Sequence, residues 1–448
     1  MFHELTEFDD WFAERRRAHE FRVNRVPLDS LSGWSMDPET FAVRHDSGRF
    51  FAVDGLEVHT DHGYDRTWSQ PIIDQPEIGI LGILTKRFDG VPHFLMQAKM
   101  EPGNIDLLEL SPTVQATRSN YTQVHKGKSV AYLEYFRDPS HGHILSDTLQ
   151  SEQGSWFLHK RNRNMIVETT ADVPVLDDFC WLTYDQIGEL LTRDNVVNMD
   201  SRTVLAGYPF TEPGKPCWYV PPRAAHPPRT GTVNRAAPRD ITEVLSWFAD
   251  MKSRYRLTRS RIPLCDAKGW ICTSESVTHE SNRYFSVIGV DVEAGSREVS
   301  SWSQPVLAPA DRGVAAFLVS RRDDELRVLA QAHTQAGTLD VLEIAPTVQC
   351  TPSNYDHLPS DKQPAFLDHV LRASREHVLL DVVHSEEGGR FYHAQNRYLL
   401  VEAPDDFPAD VHPDFSWITV PQIAEIARYG NHVNVEARSL LACLRFLR

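Results

Sequence analysis

Lys99, Glu101, Glu109, Tyr121 and Tyr132 stand close together in the first half of a 448-residue chain. They are groups that take up or release protons near neutral pH once burial or a neighbour moves their pKa. A second set suits an anionic ligand carrying a flat ring: Trp68 with Ser69 and Gln70, then Ser119, Asn120 and Tyr121, then Arg163, Asn198 and Arg202. An indole offers a stacking face, and a planar guanidinium holds two anionic oxygens at once. Plainer roles compete for each of them: a core tryptophan, a Ser-Asn turn, an arginine spent on a salt bridge, a structural carboxylate.

The chain is its own alignment. WSQP occurs at Trp68 to Pro71 and again at Trp302 to Pro305, and 23 of the 54 positions from Trp68 to Tyr121 recur 234 residues later without a gap. The offset is 236 at both ends of the repeat, where Gly33-Trp34 matches Gly269-Trp270 and Arg202 matches Arg438. A period this long is domain duplication, not a stacked array. The expected units are 1–207 and 241–448, joined by the proline-rich strap 208–240. A second pocket is then expected from Trp302, Ser353, Asn354, Tyr355, Arg397 and Arg438. The two copies differ where protons would move: Lys99, Glu101 and Asn104 face His333, Gln335 and Thr338, while Tyr132, Glu134 and Tyr135 face Phe366, Asp368 and His369. Shared residues are therefore expected to bind, and the first copy, with the richer acid and base inventory, to perform chemistry.

These residues need a scaffold of strands and helices. Each copy opens with a threonine at a helix N-cap and apolar residues at helical spacing, Phe8, Trp11 and Phe12 in one and Val244, Trp247, Phe248 and Met251 in the other. Strands are expected at 49–53, 79–84, 93–100, 105–117 and 164–168, with a hairpin of 144–150 and 155–159 around Gly154. Helices are expected at 129–136, 184–191 and 200–206. The class is α+β, with mixed sheets and flanking helices.

Forty-six basic against 62 acidic residues give a net charge of −16, which argues against nucleic acid or an anionic membrane as partner. The acidic amphipathic start, MFHELTEFDDWF, is unlike a signal peptide, and the apolar run from Ile78 to Leu84 is too short to span a bilayer. Six cysteines without CxxC spacing indicate neither zinc nor a disulfide framework, so a cytoplasmic location is expected.

Gly103 and Glu109, repeated as Gly337 and Glu343, have the spacing that opens a Nudix box. The helix of metal-binding glutamates that should follow is missing; the chain reads LSPTVQAT instead. As a whole the sequence resembles the NDP-hexose 2,3-dehydratases of deoxysugar pathways. WSQP, QAKMEPGNIDLLELSPTVQATRSNY, Asn162-Arg163 and Asn195 to Arg202 carry the likeness, with their second-half counterparts. The resemblance implies two tandem Nudix-like domains, a dTDP-4-keto-6-deoxyhexose substrate, no metal or redox cofactor, a homodimer, and coupling to a 3-ketoreductase. It also implies elimination of water across carbons 2 and 3, since the 4-keto group acidifies the proton on carbon 3 and an acid assists loss of the 2-hydroxyl. In that setting Trp68 would stack on thymine and the arginines would hold the diphosphate. A metal-dependent nucleotide-sugar pyrophosphohydrolase and a non-catalytic nucleotide-sugar binding protein remain the alternatives.

Overall fold

The computed structural model describes residues 2–64, 66–117, 130–209, 240–295, 299–322, 325–404, 407 and 411–446. The described residues form a mixed α+β structure of four sheets, two large and two small. In the first large sheet the strands run His143–Ser151, Arg161–Glu168, Gly79–Phe88, Val91–Met100, Phe179–Thr183, with Leu108–Ser111 paired to Val91–Met100 and Val114–Ala116 to Gly79–Phe88. Only Arg161–Glu168 lies parallel to its neighbour, Asn162 opposite Gly79. The second large sheet repeats this order, with Gln395–Glu402 parallel to Gly313–Arg322 and Asn396 opposite Gly313.

The small sheets tie the repeats together. Phe21–Val26, from the first repeat, pairs antiparallel with Phe285–Ala294 of the second, Phe21 opposite Ala294 and Val26 opposite Gly289. Reciprocally, Leu257–Ile262 pairs with Ala52–Thr60, Ile262 opposite Gly55. Each small sheet thus contains one strand of the other repeat, and neither is complete within its own copy. The glycines at the crossings are required by close approach. A Cβ on Gly55 would fall 2.8 Å from the Ile262 carbonyl oxygen, and one on Gly289 would fall 2.6 Å from that of Val26.

Several local expectations are corrected. The opening helices span Leu5–Ala18 and Ile241–Arg254, but their N-caps are Glu4 and Asp240; Asp240 accepts from the Glu243 N–H at 3.0 Å, and the threonines sit inside the first turn. Residues 155–159 are not the hairpin partner of 144–150. His143–Ser151 pairs with Arg161–Glu168 instead, and 153–159 form a turn against the other repeat. The long strand expected over 105–117 breaks at Pro112, which has no N–H to continue a ladder. The helix expected at 129–136 is a single turn, Glu134–Arg137. Residues 118–129 and 210–239, the latter most of the strap, lie outside the described residues.

One apolar core runs through both repeats, from Leu110, Val204 and Leu205 to Ile344, Leu440 and Leu441. At its centre the helices Met199–Leu205 and Val435–Leu444 pack on each other, carrying two fully buried arginines. Arg202 donates to the Val197 carbonyl at 2.7 Å and to the Ser385 carbonyl, across the interface, at 2.8 Å. Arg438 mirrors it, donating to Val433 at 2.5 Å, to Ser151 at 2.6 Å and to the Thr203 hydroxyl at 2.6 Å. Beside Arg202, buried Glu109 accepts from the Ser385 hydroxyl at 2.5 Å. The turn glycines close the same contact. Gly103 donates to Gly388 at 2.7 Å and Gly337 to Gly154 at 2.6 Å, and a Cβ on either would fall 1.7 Å from a carbonyl oxygen of the other repeat, Phe391 or Phe157.

Two predictions follow from this interface. Gly103→Ala and Gly337→Ala should each cost about 1–3 kcal/mol or more, because a backbone oxygen must move to admit the methyl. Unchanged thermal midpoints would refute the close packing. Burial pushes the Glu109 carboxyl up to about 8 from its ordinary 4.5, so the folded state holds a proton that the unfolded state has released. The associated stability is full below the unfolded pKa and lost as pH rises through the folded one. Thermal midpoints should therefore fall from about pH 5 to about pH 8.5, and fall less in Glu109→Gln, which cannot ionise. Identical slopes in the two proteins would show that Glu109 does not titrate in this window.

Candidate active site

Strand exchange builds a cavity of about 1060 Å³ whose walls come from both repeats. The first large sheet supplies Gly79, Leu81, Gln97 to Met100 and Thr113 to Thr117. Opposite stand Asp291 to Glu293 and Ser301 to Gln304 of the second repeat's small sheet, and Glu387, Gly389 and Arg390 of its turn. This volume is at the upper end of the usual range for small-molecule sites.

Part of the wall is aromatic. Trp34, Phe50, Phe51 and Trp302 line the cavity, and the Arg390 guanidinium lies 4.3 Å from the Phe51 ring centroid. Trp302 is held by its Nε1–H, which donates to Gln304 Oε1 at 3.1 Å, while Gln304 Nε2 donates to the Gly389 carbonyl at 2.6 Å. That chain of bonds fixes the tryptophan to the turn that carries Arg390.

The rest of the wall carries ionisable groups. Lys99 Nζ pairs with Glu101 Oε1 at 3.1 Å, and Gln115 donates to the same oxygen at 3.0 Å. Glu152 accepts from Asn162 at 2.8 Å, and Lys160 donates to the Glu77 carbonyl. Glu387 accepts from the Gly389 N–H at 3.1 Å through Oε1, whereas its buried Oε2 has no hydrogen-bond partner among the described residues. The buried Oδ1 of Asp200 is left in the same state. Desolvation dominates the electrostatics. It pushes Glu387 up to about 7, with Arg390 opposing and Glu101 and Glu152 reinforcing the rise, and drives Lys160 down to about 8. Asp200 is raised well above the carboxylate range by burial and then by Glu152, Glu387 and Glu101. Glu152 is raised by burial against the pull of Arg438. An acid and a base poised near neutrality are what proton abstraction and leaving-group protonation require. Among the described residues, no three His, Cys, Asp or Glu side chains are grouped to hold a metal ion.

Of the residues expected from sequence, the cavity gathers Lys99, Glu101 and Trp302. Trp302 serves the cavity on the first repeat's sheet, a correction to its assignment to a second-repeat pocket. Trp68 and Gln70 make the mirror-image bonds, Trp68 to Gln70 at 2.8 Å and Gln70 to the Ser155 carbonyl at 2.7 Å, and Trp68 packs beside Ala336 and Leu257 of the second repeat. Ser69 is buried, accepting from the Lys268 N–H. Arg202, Arg438 and Glu109 are in the interface described above, away from the cavity lining; as a diphosphate clamp Arg202 is corrected, because its guanidinium bonds protein carbonyls. Asn198 caps its helix by accepting from Ser201 at 2.8 Å and donates to Ser111 at 3.0 Å. Arg163 and Arg397 form two-pronged ion pairs with Asp147 and Asp381 on the outer strands. The Tyr132 hydroxyl donates to Pro174 at 2.7 Å and accepts from Leu176 at 3.0 Å, so it too is occupied; only its neighbours Val130 and Ala131 reach the cavity. In the second copy, Asn354 accepts from the Tyr284 N–H at 3.2 Å, and Ser353 and Tyr355 lie in the same short turn, outside the cavity lining. Ser119, Asn120 and Tyr121 lie outside the described residues.

Sequence reasoning missed Glu152, Lys160, Asp200, Glu387 and Arg390. Comparing the copies across 152–160 would have exposed three of them, since Lys160 stands opposite Ala394, Glu387 opposite Gln153 and Arg390 opposite Trp156. The second-repeat counterpart of the cavity's polar end is neutralised and filled. Gln153 donates to Glu386 at 2.8 Å, Gln335 donates to Ser155 at 2.8 Å, and Trp156 packs on Phe391 at 4.5 Å between centroids. His333, at the place of Lys99, is half-buried beside His62 and pushed down to about 3 by desolvation.

The chain matches the family model described as NDP-hexose 2,3-dehydratase twice, over residues 5–208 and 241–444. It is 53% identical over 444 residues to a dTDP-4-dehydro-6-deoxy-alpha-D-glucopyranose 2,3-dehydratase of Streptomyces violaceoruber, covering 98% of this chain and 97% of that one. Proteins of the same name from Saccharopolyspora spinosa and Amycolatopsis orientalis are each 49% identical, over 99% and 97% of this chain and 91% and 88% of theirs. Near-complete coverage at this identity, with both repeats matched, places the chain in the NDP-hexose 2,3-dehydratase family.

Proposed function

We propose that this protein removes water across carbons 2 and 3 of a dTDP-4-keto-6-deoxyhexose, giving a 3,4-diketo-2,6-dideoxyhexose. The observation that carries the reading is the mixed lining of the cavity: aromatic rings and a guanidinium together with a desolvated set of carboxylates and lysines. The thymine and diphosphate fit the end formed by Trp302, Phe51 and Arg390, where stacking and a charge-assisted contact are both available. The sugar then lies against Lys99, Glu101, Lys160 and Glu387. Removal of the carbon 3 proton leaves charge on the 4-keto oxygen, which lysine ammonium groups stabilise best in a site free of bulk water. Elimination followed by ketonisation leaves the total oxidation state unchanged, so this chain's acids and bases suffice.

The parallel strand pair and the Gly103-to-Glu109 spacing support a Nudix-like reading of each large sheet with its helices. The five cysteines among the described residues are free thiols, two of them buried, which fits a reducing cytoplasm. A homodimer and a partner 3-ketoreductase complete the proposal, the latter because a vicinal diketone is reactive and gains from prompt reduction. The expected natural setting is deoxysugar assembly for antibiotics.

The test is to incubate the protein in EDTA with the 4-keto substrate and a 3-ketoreductase that traps the product. Turnover should persist. Release of dTMP dependent on added magnesium would favour a pyrophosphohydrolase, and tight binding without any conversion would favour a binding protein. Within the same assay Arg390→Ala should weaken dTDP binding by about 1–3 kcal/mol through loss of a charged contact. Arg163→Ala, which breaks a partly exposed pair with Asp147 outside the cavity lining, should change dTDP binding by less than about 1 kcal/mol. Equal losses in the two variants would move the nucleotide away from the Phe51 end.

A further inference from the structure

Resting on the dehydratase reading, we propose that the second repeat supplies the base to the first repeat's site: Glu387 takes the proton from carbon 3, and Lys160 protonates the departing 2-hydroxyl. Geometry singles out Glu387. It is carried on the turn 386–390, which is pinned to the first repeat by the Gly103 N–H bond to Gly388 and by Gly388 itself, where a Cβ would fall 2.0 Å from Asn104 Oδ1 and 3.1 Å from the Glu101 Cβ. One carboxylate oxygen is oriented by the Gly389 N–H, while the other is buried in the cavity wall with no partner among the described residues. A carboxylate anchored through one oxygen and bare at the other is the arrangement that proton abstraction needs. Among the other carboxylates, Glu101 is engaged by Lys99 and Gln115, and burial holds Asp200 well above the carboxylate range. Glu152, whose Oε2 is likewise unpartnered among the described residues, is the acid that most supports the Lys160 ammonium. The charged groups acting on Glu387 are Arg390 from its own turn, and Lys99, Glu101, Glu152, Asp200 and Lys160 from the first repeat. Lys160 lines the same cavity and is 6% exposed, and its ammonium is destabilised by that burial, which makes it a ready proton donor.

The proton balance closes. Glu387 carboxylate accepts the carbon 3 proton, and the electron pair moves into an enolate between carbons 3 and 4. The enolate expels the 2-hydroxyl, which leaves as water with a proton from the Lys160 ammonium. This gives an enol across carbons 2 and 3, a carboxylic acid at Glu387 and an amine at Lys160. Ketonisation returns both groups to their starting states: the acid protonates carbon 2, and the enol hydroxyl proton passes to the amine.

The experiment follows hydrogen–deuterium exchange at carbon 3 of the 4-keto substrate by NMR in D2O, together with trapped diketone, in the full chain. Glu387→Gln should lower both by about 100- to 10,000-fold, while calorimetric dTDP affinity is unchanged. Lys160→Met should lower diketone formation by a similar factor but leave carbon 3 exchange within about tenfold of wild type, because abstraction precedes leaving-group protonation. In wild type the rate should rise as Glu387 ionises near pH 7 and fall as Lys160 deprotonates near pH 8, and Glu387→Asp should keep the shape of that profile at a lower rate. Carbon 3 exchange at the wild-type rate in Glu387→Gln overturns the proposal. If that variant does not fold, Glu387→Asp decides: an unchanged exchange rate with normal dTDP affinity overturns it, and a slowed one supports it. Wild type that makes no diketone would refute the dehydratase reading itself, an outcome separate from a working enzyme indifferent to Glu387.

Discussion

The backbone hydrogen bonds that lay Phe21–Val26 on Phe285–Ala294, and Leu257–Ile262 on Ala52–Thr60, determine which side chains can meet. They hold each repeat's small sheet against the other repeat's large sheet. Trp302 and Gln304 therefore face Lys99 and Glu101, and the WSQP of one copy serves the sheet of the other. A tandem pair with closed sheets would have put Trp68 in that place. Once the exchange is made, the paired arginines and glycines at the core have fixed partners. Arg202 and Arg438 bond carbonyls across the interface, and removing either would leave buried acceptors unsatisfied at a cost of about 1–3 kcal/mol each.

This explains why residues shared by the two copies were a poor guide to the site. An interface between two similar repeats is close to two-fold symmetric, so the same residues must appear on both sides of it. Gly103 with Gly337, Glu109 with Glu343, Asn198 with Asn434 and Arg202 with Arg438 all answer that demand. Their identity records packing. Catalysis carries no such symmetry, and within a cavity lined by many shared residues the copies diverge at ionisable positions: Lys99 and His333, Glu101 and Gln335, Lys160 and Ala394. The duplication, the α+β class, the opening helices and the central strands were legible because each depends on local periodicity. The origin of Trp302's partners was not, because strand exchange is a long-range pairing with no local signature. The misplaced hairpin has a related cause, since 153–159 is a turn that bonds Ile73 of its own repeat and Gly337 of the other instead of pairing with 144–150.

The two halves also differ in how they meet the cost of burying charge. Ions removed from water cost several kcal/mol each unless they are paired or neutralised. The equivalent place on the second repeat's large sheet avoids most of that cost, with Gln335 and Ala394 where Glu101 and Lys160 stand, and with Gln153, Trp156 and His62 reaching in from the first repeat where Glu387 and Arg390 would be. The first repeat keeps the charges and leaves a cavity in front of them. Such a site is unfavourable for stability and retained for what it binds, and the shared core on either side of the helices Met199–Leu205 and Val435–Leu444 provides the stability that tolerates it.

Protonation then reconciles the acidic cavity with an anionic substrate. Counted at formal charge, Glu101, Glu152, Asp200 and Glu387 outnumber Lys99, Lys160 and Arg390, and a nucleoside diphosphate would meet net repulsion. Burial narrows the imbalance. Asp200 is raised well above the carboxylate range and Glu152 is raised as well, while Glu387 is pushed up to about 7. Carboxylates raised in this way oppose an arriving diphosphate less than their formal charge implies. Arg390, 4.3 Å from the Phe51 ring centroid, is the cation proposed to meet the phosphates. The same desolvation that holds protons on these carboxylates keeps Lys160 readily deprotonated, so one physical cause, the exclusion of water by two interlocked repeats, governs both how the site admits its ligand and how it moves protons.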